Sequence, residues 1–171
     1  MRSDVRLRRD VGGTCLPIGI PFSFLLPDPN KIVQAPGLIV IMYEIDGMHR
    51  QIYTDGRTLS KDPQPSWLGY STGKWQSDTL VVQTAGFNDK TSLDGMGHPH
   101  SEALRVIERY HRRDFGHLDV EMMFDDPKVY KKPFTIKIAE QLLADSDILE
   151  YVCNENEKDR AHLNTGAGTG K

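Results

Sequence analysis

The sequence predicts an all-β protein built as a single antiparallel barrel of the calycin or lipocalin type, and three observations support this. About eight or nine short segments of alternating or β-branched apolar residues follow one another along the chain. Most are joined by short turns, and no long amphipathic helix pattern separates them. Because successive hairpins build an up-and-down sheet, about eight strands would enclose side chains or one small ligand.

Composition limits the classes of partner. A chain of 171 residues suits one domain with a substantial core. A formal net charge of −3 provides no basic field for nucleic acid. No apolar run approaches the roughly 18 residues of a membrane helix. We therefore expect a small-molecule or carbohydrate partner rather than nucleic acid or a membrane; a homodimer is compatible with the composition.

The chain divides into three parts. Residues 1–31 form an N-terminal arm that contains Pro17, Pro21, Pro27 and Pro29. Prolines at this density disfavour regular helix and inner strands, so the arm is predicted to be extended. Its apolar anchors are Phe22, Phe24, Leu25 and Leu26. Residues 32–153 are the barrel domain, and residues 154–171 are a polar C-terminal tail.

The strands are predicted from alternation and from the turns between them. They cover residues 32–34, 38–44, 49–53, 67–75, 78–84, 104–110, 118–124, 134–138 and 148–153. Asp46-Gly47 between two apolar runs is typical of a positive-φ hairpin turn, and Gln76-Ser77 is expected to form the next turn. Residues 139–147 are a helical turn or a loop.

The segment around His98-Pro-His-Ser-Glu102 is the strongest candidate for chemistry. On an extended backbone His98, His100 and Glu102 share one face, which Glu108 and Tyr110 continue. Histidine exchanges protons near neutral pH, and a carboxylate beside it holds it in one tautomer. His100 is then the acid or base, Glu102 orients it, and Glu108 or Tyr110 handles a second proton. This pattern favours a cofactor-free lyase, isomerase or hydrolase acting on a small organic molecule or carbohydrate.

The same histidines allow other interpretations. His98 and His100 could begin a divalent transition-metal site, and so a metal-dependent enzyme, if a third ligand came from another strand. The available third histidines are His49, His111 and His117. The segment could also be a polar edge in solvent, because a one-residue change of register exchanges the two faces of a strand.

Aromatic residues provide a candidate binding surface. Trp67, Tyr70 and Trp75 fall within nine residues and could stack on a sugar or an aromatic ligand, or else pack in the core and rim of the barrel. Arg57 could bind an anion or be an exposed turn residue. These residues support a third function, a non-catalytic barrel that binds a small apolar or aromatic ligand.

Several motifs resemble a family of predicted secreted proteins of soil bacteria. They are RQIYTDGR at 50–57, GKW and DTLVV within 73–82, GFNDKT at 86–91, GHPHSE at 97–102 and EYVCNENE at 150–157. The resemblance covers about residues 14–162. It implies no reaction, but it implies export to the periplasm or the extracellular space, although the first residues lack the hydrophobic segment of a signal peptide.

Two cysteines, Cys15 and Cys153, lie near opposite ends of the chain. The residues alone leave a disulfide and two separate thiols equally open. The export that the resemblance implies favours the disulfide, which would tie both ends of the chain to the barrel.

Overall fold

Residues 16–152 are described by the computed structural model, and within them eight strands form one curled sheet. The strands are β1 (Asn30–Ala35), β2 (Leu38–Tyr43), β3 (His49–Tyr53), β4 (Tyr70–Gln76), β5 (Thr79–Ala85), β6 (Arg105–Arg112), β7 (His117–Asp125) and β8 (Phe134–Gln141). Helix in these residues is limited to one turn, α1 (Phe22–Leu25), and a 3-10 turn at Ile45–Gly47. The all-β prediction is therefore confirmed. None of the described helices is long and apolar enough to cross a membrane.

The sheet is a half-barrel rather than a closed barrel. Its strands lie in sequence order from β1 to β8, so β1 and β8 are its two edges. Neighbours pair antiparallel except β3 and β4, which run parallel over two residues each. Because parallel neighbours cannot be joined by a tight hairpin, residues 54–69 form a long connection between them. The predicted strand order is correct, and the predicted antiparallel pairing holds for every neighbouring pair except β3 and β4.

Alternation places the core on the concave face. On β6, Val106, Glu108 and Tyr110 are buried while Arg105 and Arg109 are exposed, as the sequence pattern predicts. The same alternation buries one side of the neighbouring strands, including Ile41, Ile52, Val82, Val120 and Met122. One side chain in two thus points into the half-barrel.

The described part of the N-terminal arm fills one end of the half-barrel. Ile18, Ile20 and Phe24 are buried in the core. Phe22 and Leu26 pack against it, whereas Leu25 is 45% exposed. The arm is not extended throughout, because Phe22–Leu25 form the helical turn α1. Pro21 immediately precedes α1. Leu26, the residue before Pro27, has an extended backbone and ends the turn. The prolines bound this helical turn instead of interrupting it.

The segment after β8 forms a strap, residues 142–150. Its start is held by the amide of Leu142, which donates to Gly116 O at 2.8 Å. Its far end reaches the opposite edge of the sheet, where Lys31 and Asp147 form an ion pair at 2.8 Å and Glu44 Oε2 accepts from the Leu149 amide at 2.7 Å. β8 extends to Gln141, three residues beyond the predicted end, and residues 142–147 form the predicted loop. Residues 148–152 form no strand, so the strand predicted there is wrong for the described residues. Cys15, Cys153 and the polar tail lie outside the described residues.

Candidate functional site

The His98-Pro-His-Ser-Glu102 segment is a loop, not a strand. His98 and Glu102 are exposed, whereas His100 is 2% exposed. The buried Asp126 carboxylate accepts hydrogen bonds from the Ser101 amide at 2.6 Å and from the Ser101 hydroxyl at 2.8 Å. These bonds turn the chain, so alternation does not continue through it and the predicted common face is wrong.

His100 is built into the loop. Its Nδ1 donates to the carbonyl oxygen of Ser101 at 3.2 Å, and its Nε2 accepts from the Thr91 hydroxyl at 2.7 Å. The edge of the ring packs against Phe87, with 6.0 Å between centroids. Because both ring nitrogens have protein partners, His100 stabilises the loop, and Glu102 does not orient it.

A buried polar network crosses the concave face from β3 to β6. Arg50 donates to Glu108 Oε1 at 2.8 Å and pairs with Oε2 through its other terminal nitrogen. It also donates to Ser71 Oγ at 3.0 Å and to Thr84 Oγ1 at 2.6 Å, while Tyr110 OH donates to Glu108 Oε1 at 2.8 Å. Burial disfavours the charged form of Arg50 and by itself would lower its pKa. The charge and the hydrogen bonds of Glu108 have the larger combined effect, so the Arg50 pKa is raised. Glu108 therefore balances a buried cation, a role the sequence pattern does not indicate.

The helical turn α1 covers this network. The Phe24 ring meets Tyr43 edge-on at 5.5 Å and Tyr110 at 6.1 Å between centroids. Burial raises the pKa of Tyr43 and Tyr110, so both hydroxyls stay protonated. The hydroxyls of Tyr43 and Ser23 are buried without a well-formed hydrogen bond to the described residues. The network is thus closed from solvent at this end of the half-barrel.

Asp94 and His98 form a hydrogen-bonded pair in the same loop. The distance from His98 Nδ1 to Asp94 Oδ2 is 2.6 Å, and Asp94 Oδ1 accepts from the amides of Met96 and His98. Burial opposes the charge of Asp94, but these hydrogen bonds lower its pKa. The sequence pattern assigns no role to Asp94. The available signal is the Asp-Gly-Met-Gly turn, which carries an aspartate back to a histidine four residues later.

A small apolar pocket of about 340 Å³ lies beside this pair, and Asp94 and His98 form part of its wall. The rest of the wall is Pro21, Leu25, Leu93, Phe124, Tyr130, Phe134 and Ile136. The rings of Phe124 and Phe134 stack at 5.1 Å between centroids. Tyr130 OH donates to Pro99 O at 2.7 Å, which ties the loop to the pocket. A histidine and an aspartate thus stand beside space for an apolar group.

The described histidines do not gather into a group of three or more potential metal ligands. No three His, Cys, Asp or Glu side chains in residues 16–152 lie close enough together to hold a metal ion. His111 lies 3.6 Å from Asp78, and His117 lies 2.7 Å from Asp114, so both face carboxylates. The metal site at His98 and His100 therefore stays a prediction.

The predicted aromatic surface is divided. Tyr70 stacks on Tyr53 at 5.4 Å between centroids, and the Arg57 guanidinium lies 3.8 Å from the Tyr53 centroid and donates to Tyr70 OH at 3.3 Å. Hydrogen bonds from Arg57 to Asp55 raise the Arg57 pKa. Within this cluster the charge of Arg57 is balanced by Asp55. The cluster also contains Tyr53, to which the sequence pattern assigns no role.

The two tryptophans lie apart from this cluster. Trp67 lies near Lys90, whose ammonium is 6.0 Å from the ring centroid. Trp75 is 50% exposed and borders a second, larger cavity. The four predicted binding residues therefore do not form one platform.

The larger cavity, here called the groove, measures about 850 Å³. It is open on the concave side between the two edges of the sheet, and strap residues form part of its wall. Its buried lining residues are Ile39, Ile41, Leu80 and Tyr110. The groove and the buried network meet at Tyr110, which borders the first and donates to Glu108 in the second.

The chain matches no protein-family model, no curated protein and no solved structure.

Proposed function

We propose that this protein binds a small, largely apolar molecule in the groove, as a half-barrel variant of the calycin architecture. The observation that carries this proposal is the groove itself. Its volume of about 850 Å³ falls within the range of about 300–1,000 Å³ that is typical of small-molecule sites. Its buried lining is formed by Ile39, Ile41, Leu80 and Tyr110.

The arrangement of the core supports this site. At one end the arm fills the concave face, because Phe24 packs on Tyr43 and Tyr110. At the other end the strap passes from β8 to the opposite edge of the sheet, held there by Lys31 and Glu44. Transfer of an apolar ligand from water to the space beneath the strap is favourable in proportion to the apolar surface area that it buries.

A charge placed in the groove is expected to weaken binding. Ile32 and Val33 are neighbours on β1 with nearly equal exposure, 42% and 43%, but only Ile32 borders the groove. Ile32→Asp should weaken binding of the neutral fluorescent probe N-phenylnaphthylamine by about tenfold or more. The reason is that the new carboxylate would lose its water where the bound probe lies against it. The measurement is energy transfer from Trp75 to the probe in a Trp67→Phe background, where Trp75 is the remaining tryptophan.

Val33→Asp is the matched control and should bind within about twofold of the parent. An equal loss of probe affinity in both variants, or no saturable binding of the probe to the parent protein, would contradict the groove as the ligand site.

Acid–base catalysis is a second candidate function, favoured by the Asp94–His98 pair. With Nδ1 held by Asp94, Nε2 is the His98 atom left to exchange a proton with a molecule in the small pocket. This assignment moves the predicted lyase, isomerase or hydrolase chemistry from His100 and Glu102 to His98 and Asp94. The substrate would have an apolar body that fits about 340 Å³.

His98→Asn is expected to lower kcat/KM by about 100-fold or more for any substrate found in a screen of these three reaction classes. Asp94→Asn should cause a smaller loss, because it disturbs the orientation of the ring and leaves its Nε2 in place. His111→Asn is the control, since His111 also faces an aspartate but borders neither cavity. Turnover that survives His98→Asn unchanged would refute this function.

A further inference from the structure

We infer that the ligand of the groove is a cation, an apolar molecule carrying an amine or a quaternary ammonium group. This inference rests on the proposed binding function and names the chemical class of the ligand. Three features of the groove carry it: an excess of carboxylates, a partly buried glutamate with no cationic partner in the described part of the chain, and aromatic rings in the wall.

Among the described residues that line the groove, carboxylates outnumber permanent cations by four to two. The carboxylates are Asp28, Asp78, Glu140 and Asp147, and the cations are Lys31 and Arg112. Lys31 is paired with Asp147 at 2.8 Å. Arg112 directs its donors at backbone carbonyls, those of Asp114 at 3.2 Å and Phe115 at 2.9 Å. These lining side chains therefore carry an excess of negative charge, which favours a positively charged ligand.

Glu140 on β8 is the groove carboxylate that we expect to pair with the ligand. It is partly buried, and no lysine, arginine or histidine in residues 16–152 forms an ion pair with it. Burial raises its pKa, and hydrogen bonding to Asn30 acts in the opposite direction. A carboxylate held in a partly desolvated position gains from a neighbouring cation, so a ligand ammonium group would supply the partner that Glu140 lacks among residues 16–152.

One of the four carboxylates, Asp28, repels a neighbouring aspartate outside the groove wall. Burial and the neighbouring charge of Asp28 raise the pKa of Asp46. Asp46 Oδ2 is buried without a hydrogen-bond donor among the described residues. Asp28 borders the groove, so the repulsion within this pair is relieved by a cation bound there.

Aromatic rings in the groove wall suit the same group. Trp75, Tyr110 and Phe115 border the cavity, and Trp75 is half exposed. Ammonium groups are attracted to the faces of aromatic rings, most strongly to tryptophan. The Arg112 guanidinium already lies 5.4 Å from the Phe115 centroid, so this wall accepts a cation beside a ring.

The test compares three ligands with the same ten-carbon chain: decyltrimethylammonium, decanol and decanoate. Each displaces N-phenylnaphthylamine from the intact protein below its micelle concentration. The cation is expected to bind about tenfold more tightly than decanol, and decanoate more weakly than decanol. Glu140→Gln should reduce the preference for the cation about fivefold and leave the affinity for decanol unchanged. The variant should fold, because it removes a partly buried charge and keeps the shape of the side chain.

Glu121→Gln is the control for net charge, because Glu121 lies on the neighbouring strand, pairs with Lys137 at 3.0 Å and does not border the groove. Equal binding of the three ligands, or equal effects of the two variants, would overturn the cation inference while the groove remained the site. Failure of both the neutral probe and decanol to bind would refute the proposed function itself.

Discussion

Glu108→Ala is expected to destabilise the protein by about 3–5 kcal/mol, because it leaves the Arg50 guanidinium buried without its counter-charge. The side chains of Arg50 and Glu108 are 1% and 0% exposed. Ser71 and Thr84 remain as acceptors for Arg50 but carry no charge to balance it. Since domains typically have about 5–15 kcal/mol of stability, this loss should be plain in urea denaturation followed by circular dichroism.

The double variant Arg50→Met/Glu108→Leu separates the effect of an unpaired charge from that of a lost interaction. It is expected to recover most of the stability, because apolar residues of similar volume often replace a buried pair without net loss. Asp55→Ala, which breaks the exposed Arg57 pair, should leave the denaturation midpoint nearly unchanged. A Glu108→Ala protein as stable as Asp55→Ala would show that the buried pair is not needed for folding.

Phe87→Ala is expected to cost about 3–5 kcal/mol, the range for deleting a buried phenylalanine ring. Phe87 is 0% exposed, packs on His100 and lies against Gly69, where an added Cβ would be 3.2 Å from the ring. The cavity left behind would also remove one side of the packing around His100. We therefore expect faster hydrogen exchange of the Leu93 amide, which donates to His98 O across the loop.

Phe115→Ala is the control, because Phe115 is 77% exposed and its loss should change neither the midpoint nor the exchange of Leu93. If Phe87→Ala lowered global stability but left the Leu93 amide protected, the loop would not depend on this ring.

The strands were predictable because their signals are local. Asp46 and Gly47 both adopt positive φ, 58° and 57°, in the turn that joins β2 to β3. The alternation at residues 104–110 correctly places Glu108 and Tyr110 on the buried face. The limits of β4 and β5 differ from the prediction by a few residues, as terminal residues depend on pairing with neighbours.

The candidate site was only partly predictable. His98 was identified, but its partner is Asp94 and not Glu102. His100 left the predicted face because Asp126, a residue 25 positions beyond Ser101, captures the Ser101 amide and hydroxyl. Alternation describes an extended chain, so it fails where a distant carboxylate bends that chain.

Local periodicity in the sequence therefore accounts for the eight strands and the buried face of β6, since side-chain alternation depends on the backbone of each strand. Short turns account for the order of the strands that they join. The open edges of the sheet, the pairing of Arg50 with Glu108 across 58 residues and the groove beneath the strap depend on the folded chain. These features arise where segments distant in sequence meet, and the packing between them selects which charges pair and which space stays open.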